Sequence, residues 1–215
     1  MTIARTTRLT ALLAAALGAA APLHAQEPRL EGRLPETARV QVDSVVTVAR
    51  QAGLPTEPLV DRALEGASKG ATGARIVTAV ERLAQELRTA RDALGTHSTD
   101  EEIVAGASAL RAGATPADLA RLRRARTGRT LTVASAVLAD LVSVGVPVDT
   151  AVAAVIALAG GAADADYVAF RRNVEQDVAL GASPVAALGV RLDAAADRGE
   201  LGQSAGPASK PPRKP

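Results

Sequence analysis

The chain has no cysteine and no tryptophan, and only one Tyr, one Phe and one Met in 215 residues. The absence of cysteine excludes disulfides, thiol nucleophiles and thiolate metal sites, and a lipid anchor carried on cysteine is not expected. With so few aromatics, the core must come from Leu, Val, Ile and the methyl groups of 49 alanines. Each small side chain buries little area, at about 25 cal/mol per Å². Thin layers of closely approaching helices are therefore expected. Sugar binding on aromatic platforms is disfavoured for the same reason.

Long apolar runs are also scarce. A membrane span needs roughly 20 apolar residues, and Ala151–Ala163, the longest internal run, has 13. No membrane span is expected. Residues 1–25 instead have the parts of a secretory signal peptide: Arg5 and Arg8, then an apolar stretch from Leu9 to Ala21, then Leu23-His24-Ala25. Cleavage is expected between Ala25 and Gln26, giving an exported protein, periplasmic or extracellular.

Charge of one sign is missing as well. Setting aside Arg5 and Arg8 leaves 23 basic against 23 acidic residues. Three of those positives (Lys210, Arg213, Lys214) lie in the last six residues, so the body is neutral to slightly acidic. No nucleic-acid partner is expected.

What is present is helical periodicity. A polar, proline-containing lead-in over 26–35 precedes a helical domain over 36–199. Residues 200–215, with Pro207, Pro211, Pro212 and Pro215, read as a disordered basic tail. Within the domain, Ala38, Val42, Val45, Val46 and Ala49 recur at helical spacing, with Gly53 as a stop. Leu59 to Ala67 carries a second helix, stopped near Gly70. The clearest period is Ile76, Val77, Val80, Leu83, Leu87, Ala90 and Leu94, ending at Gly95. Its polar face alternates Glu81, Arg82, Glu86 and Arg88. Ser98-Thr99-Asp100-Glu101 reads as a capping box with Ser98 as N-cap, and Thr115-Pro116-Ala117-Asp118 opens a fifth helix in the same way. Further helices follow over roughly 131–144, 147–159, from Asp164, and from Ser183-Pro184. No strand pattern is present. The fold class is all-α, about nine short helices in antiparallel hairpins, as an irregular bundle or a short α-solenoid. Sub-units over 36–95 and 98–199 are a candidate division.

A helix–Gly–x–Pro punctuation recurs at Gly53-Leu54-Pro55, Gly113-Ala114-Thr115-Pro116, Gly145-Val146-Pro147 and Gly181-Ala182-Ser183-Pro184. Secondary breaks fall at Gly70, Gly128 and Gly161. From Gly113 the spacing is 32 and then 36 residues, two helices per unit. A unit of this length resembles tetratricopeptide-type repeats. That family's signature aromatic and glycine positions are missing, so none of its peptide-binding residues carries over. The chain as a whole looks like uncharacterised exported bacterial all-helical proteins, a resemblance that implies no activity.

Candidate chemistry is sparse. His97 lies between a helix stop and a capping box and reads as an exposed linker residue. Asp100-Glu101-Glu102, Asp164 and Asp166 read as helix first turns, where negative charge opposes the positive dipole end. The stretch Gly66 to Gly73 has glycines and Lys69 but lacks the Lys-Ser/Thr order and preceding strand of a phosphate loop. No catalytic, cofactor or metal residues are assigned, and no cofactor is expected. Arg121, Arg123, Arg124, Arg126 and Arg129 form the one notable cluster. Guanidinium forks suit phosphate or carboxylate, so these five are the candidate contact to an anionic partner. Cations ending a helix are the plainer reading. The expected function is an exported, non-enzymatic helical module that binds a protein, peptide or envelope component. A hydrolase-type site of Asp, Glu, Arg and Ser is the alternative, and a structural or accessory subunit the second.

Overall fold

Helix ends in the computed structural model, which describes residues 27–201, are made by the residues the punctuation singles out. After the first helix, Gly53 N–H donates to Arg50 O and Leu54 N–H to Ala49 O, with Gly53 at φ 66°. This pair of bonds satisfies carbonyls that a helix end leaves open. The same pair recurs at Gly70, Gly113, Gly145 and Gly181. The residue after the glycine is buried at Leu54, Ala114 and Val146, which fixes where the next helix leaves. Ala182 is exposed.

Nine α-helices result among the described residues: α1 (Glu36–Gln51), α2 (Glu57–Ser68), α3 (Gly73–Leu94), α4 (Asp100–Arg111), α5 (Pro116–Ala125), α6 (Thr132–Ser143), α7 (Val148–Leu158), α8 (Asp164–Ala179) and α9 (Pro184–Asp197). The described residues contain no strand. The molecule is all-α, as expected. None of these helices is long and apolar enough to cross a membrane. The proposed leader, its Ala25–Gln26 cleavage point and residues 202–215 of the proposed tail lie outside the described residues.

Two expectations shift. The capping box of α4 is one residue further on: Thr99 Oγ1 accepts from Glu102 N–H at 3.3 Å, and Glu102 Oε2 accepts from Thr99 N–H at 3.2 Å. Ser98 Oγ is buried without a partner. Either register satisfies the motif. Thr99 prevails because it buries Ile103 and brings Glu102 Oε1 to 2.7 Å from Leu131 N–H. The lead-in is also part of the body. Pro28–Leu30 forms a 3₁₀ turn whose Leu30 is wholly buried, and Arg29 holds Glu57 through two bonds of 2.6 and 2.8 Å.

Packing is close to one-dimensional. The odd helices stack in order, α1 on α3, α3 on α5, α5 on α7 and α7 on α9, while α4, α6 and α8 stack in a second layer. Contacts of α2 with α3, α3 with α4, α6 with α7 and α8 with α9 join the layers. No helix makes a comparable contact beyond its second neighbour, the relation that stacked helical units have. Consecutive helices pair less regularly than hairpins would: α4–α5, α5–α6 and α7–α8 pack little on each other. A single apolar core runs from Leu30 to Ala195, and α3 packs on both α4 and α5 across the 95–98 division. Small residues set the spacing. A Cβ on Gly106 would lie 2.9 Å from Leu94 Cδ1 and 3.2 Å from Ala90 Cβ, so α4 meets α3 at a distance that a larger residue would have to push apart.

Candidate functional site

The five arginines at the end of α5 are not one surface. Arg126 is 2% exposed. Its Nε donates to Thr130 O at 2.8 Å, its Nη1 to Ala162 O at 2.9 Å and its Nη2 to the Asp164 carboxylate. The guanidinium also lies 4.9 Å from the centre of the Tyr167 ring, within cation–π range. It therefore ties the α5–α6 turn to the α7–α8 turn and, being buried, is not presented to a partner at the surface. Arg123 is partly buried against Glu102, Nη2 to Oε2 2.8 Å. Burial pushes the Glu102 carboxyl up, but the Leu131 N–H and the Arg123 guanidinium outweigh it and hold it below its ordinary value. Arg121 pairs with Asp118 at 3.1 Å. Arg124 and Arg129 are exposed, and no carboxylate lies within 4 Å of either among the described residues. The cluster divides into one interior clamp, two paired cations and two free ones.

The remaining candidates occupy ordinary structural places. His97 is exposed in the turn before α4. Asp166 Oδ2 accepts from Ala163 N–H at 2.7 Å at the start of α8. Lys69 pairs with Glu65, and a helix precedes it. No group of three His, Asp or Glu converges as a metal set among the described residues.

Sequence reasoning misses an apolar hollow. In the second layer α4 is packed against α6, whereas α2 sits on α1 and α3 and barely meets α4. The space over the outer face of α4, between α2 and α6, stays open as a groove of about 560 Å³. Val104, Ala105 and Ser108 of α4 floor it, with Ala136 and Ala139 of α6 along one side and Pro55 and Pro58 along the other. Small side chains let a polypeptide backbone come close. The rim is acidic, with Glu57, Asp100, Glu101 and Asp140. Glu57 is held by Arg29, and Asp140 by Arg171 at 3.2 Å. Asp100 and Glu101 have no cation within 4 Å among the described residues and are exposed. The Glu101 carboxyl lies below its ordinary value because its backbone N–H and the Thr99 hydroxyl favour the charged form. Two free carboxylates thus border an apolar, small-residue floor. The signal in the sequence is no more than alanines on two helix faces, because the opening arises from α2 failing to close over α4.

No protein-family model, curated protein or solved structure matches the chain, so the geometry of this groove and the chemistry of its rim are what bear on function.

Proposed function

We propose that the protein is an exported, non-enzymatic helical module that holds a slender, positively charged polypeptide segment in the groove over α4. The observation that carries this reading is the pairing of an open groove lined by small apolar residues (Val104, Ala105, Ala136, Ala139) with two unneutralised carboxylates, Asp100 and Glu101. An extended segment lays backbone and apolar side chains on the floor and sets a lysine or arginine over the carboxylates. Groove recognition of extended segments depends on this combination of close approach and a few placed charges. Support for a hydrolytic alternative is thinner. Glu57 and Asp140 are committed to arginines, and Ser108 Oγ donates to Val104 O at 3.1 Å, so no base activates it.

A fluorescein-labelled peptide with the sequence of residues 202–215, which combines prolines with Lys210, Arg213 and Lys214, is a suitable probe by anisotropy. Saturable binding is expected, weakened about tenfold, or 1.4 kcal/mol, by Asp100→Asn with Glu101→Gln. Binding that ignores this pair of changes contradicts the reading. Export rests on the 1–25 leader, and N-terminal sequencing of the purified natural product is expected to begin at Gln26; a product beginning at Met1 contradicts it.

A further inference from the structure

A second concavity lies toward the other end of α4, on side chains that neither the groove nor the α5 arginines use. Arg62 of α2, Arg75 and Arg82 of α3 and Arg111 of α4 line a depression of about 650 Å³, over a floor that includes Ala74, Ala79 and Leu83. Three helices thus bring four guanidiniums to one hollow in a chain whose body carries no basic excess. Glu86 is the only acidic residue in the lining. It accepts from Arg111 Nε at 3.0 Å and Nη2 at 2.7 Å, which fixes that guanidinium. Arg62 uses one N–H on Glu65, at 2.9 Å. Since arginine has five donors, both keep N–H groups to spare. Arg75 and Arg82 are exposed and have no carboxylate within 4 Å among the described residues.

The spacing restricts the ligand. Arg75 and Arg82 are seven residues apart on one helix, about 10 Å along the axis. A single phosphate or carboxylate could meet both only if the two side chains bent toward each other. A chain with closely spaced oxyanions can place one on each, and further ones on Arg62 and Arg111. No aromatic side chain lines the hollow, so nothing favours base stacking. We infer that this depression is a binding site for a linear polyanion, a flexible chain of phosphate or carboxylate groups laid along α3 between α2 and α4. The site is separate from the α4 groove and stands or falls independently of the reading given to it.

The test is calorimetric titration of the full chain with inorganic polyphosphate, with poly-glutamate of matched charge and with inorganic monophosphate. At least one of the two chains is expected to bind, the tighter one identifying the oxyanion. Monophosphate should be at least about a hundredfold weaker, since linked contacts act together. Affinity should fall steeply with salt as counterions are released. Arg75→Ala with Arg82→Ala, and separately Ala79→Glu, which sets a carboxylate in the floor, should each weaken binding by about tenfold or more. Arg121→Ala with Arg124→Ala should change it less than about twofold. Unchanged melting temperatures in these variants keep the comparison one of binding. Monophosphate binding as tightly as the chains, equal loss from the α5 variant, or no binding of either chain overturns the inference.

Discussion

A guanidinium taken out of water is stable only when its lost hydration is replaced, and Arg126 replaces it with two backbone carbonyls, a carboxylate and an aromatic face. Tyr167 completes the arrangement. Its ring is wholly buried, and its hydroxyl donates to Val155 O at 2.9 Å. Burial pushes the Tyr167 phenol up to about 12, and the neighbouring Arg126 charge opposes that push without cancelling it. The folded state therefore favours the neutral phenol. Its contribution to stability is complete below the ordinary value of 10.0 and is lost as pH rises toward about 12. Because this is the chain's one tyrosine, ultraviolet titration reads it alone. Phenolate should appear only near pH 12, together with loss of helical circular dichroism. Ionisation near pH 10 in a chain that stays folded would contradict the burial described for Tyr167. None of this is visible in the sequence, where Arg126 looks like its neighbours. Its partners come from 36 and 38 residues further on.

Helices in this molecule are delimited by their ends more than by their propensities, and two glycines separate the causes. Gly145 has φ 97°, and a Cβ there would meet Pro184 Cγ at 3.2 Å. Alanine at that position meets backbone strain of about 1–3 kcal/mol. Gly189 lies inside α9 with helical backbone, and a methyl group added there would find nothing within 4 Å. Alanine there removes a helix-interior glycine, worth about 0.8–1.0 kcal/mol in favour of the fold. Thermal melts should therefore move in opposite directions, down for Gly145→Ala and up for Gly189→Ala. A shift of the same sign in both would show that the Gly145 turn does not need its left-handed backbone. This dependence on ends is why so much of the fold is legible in the sequence. Gly53, Gly113, Gly145 and Gly181 stop helices at the expected places, and Pro116 and Pro184 start them. The α4 cap lies one residue beyond its expected place because Ser98-Thr99-Asp100-Glu101-Glu102 permits two registers locally. The choice is made by Leu131, 29 residues from Glu102.

At the scale of the whole molecule, layer stacking makes the α4 groove a consequence of a missing contact. Each odd helix covers the next, but the second layer is continuous only from α4 onward, because α2 leans on α1 and α3. Amphipathic stripes determine which face of a helix is buried and leave open which neighbour buries it, so a gap between α2 and α6 has no signature in either stripe. The acidic first turn of α4 is legible as a helix start. That the same turn also borders an apolar hollow depends on where α6 places Ala136 and Ala139. The absence of cysteine makes this groove directly addressable. A single Ala139→Cys reports on its wall, and a single Ala125→Cys at an exposed position of α5 serves as reference. The most direct measurement is the rate at which a thiol reagent labels each variant as the 202–215 peptide is added. Labelling at position 139 should slow in proportion to bound peptide while position 125 is unaffected; equal rates at saturating peptide would mean that the groove over α4 is not where the segment sits.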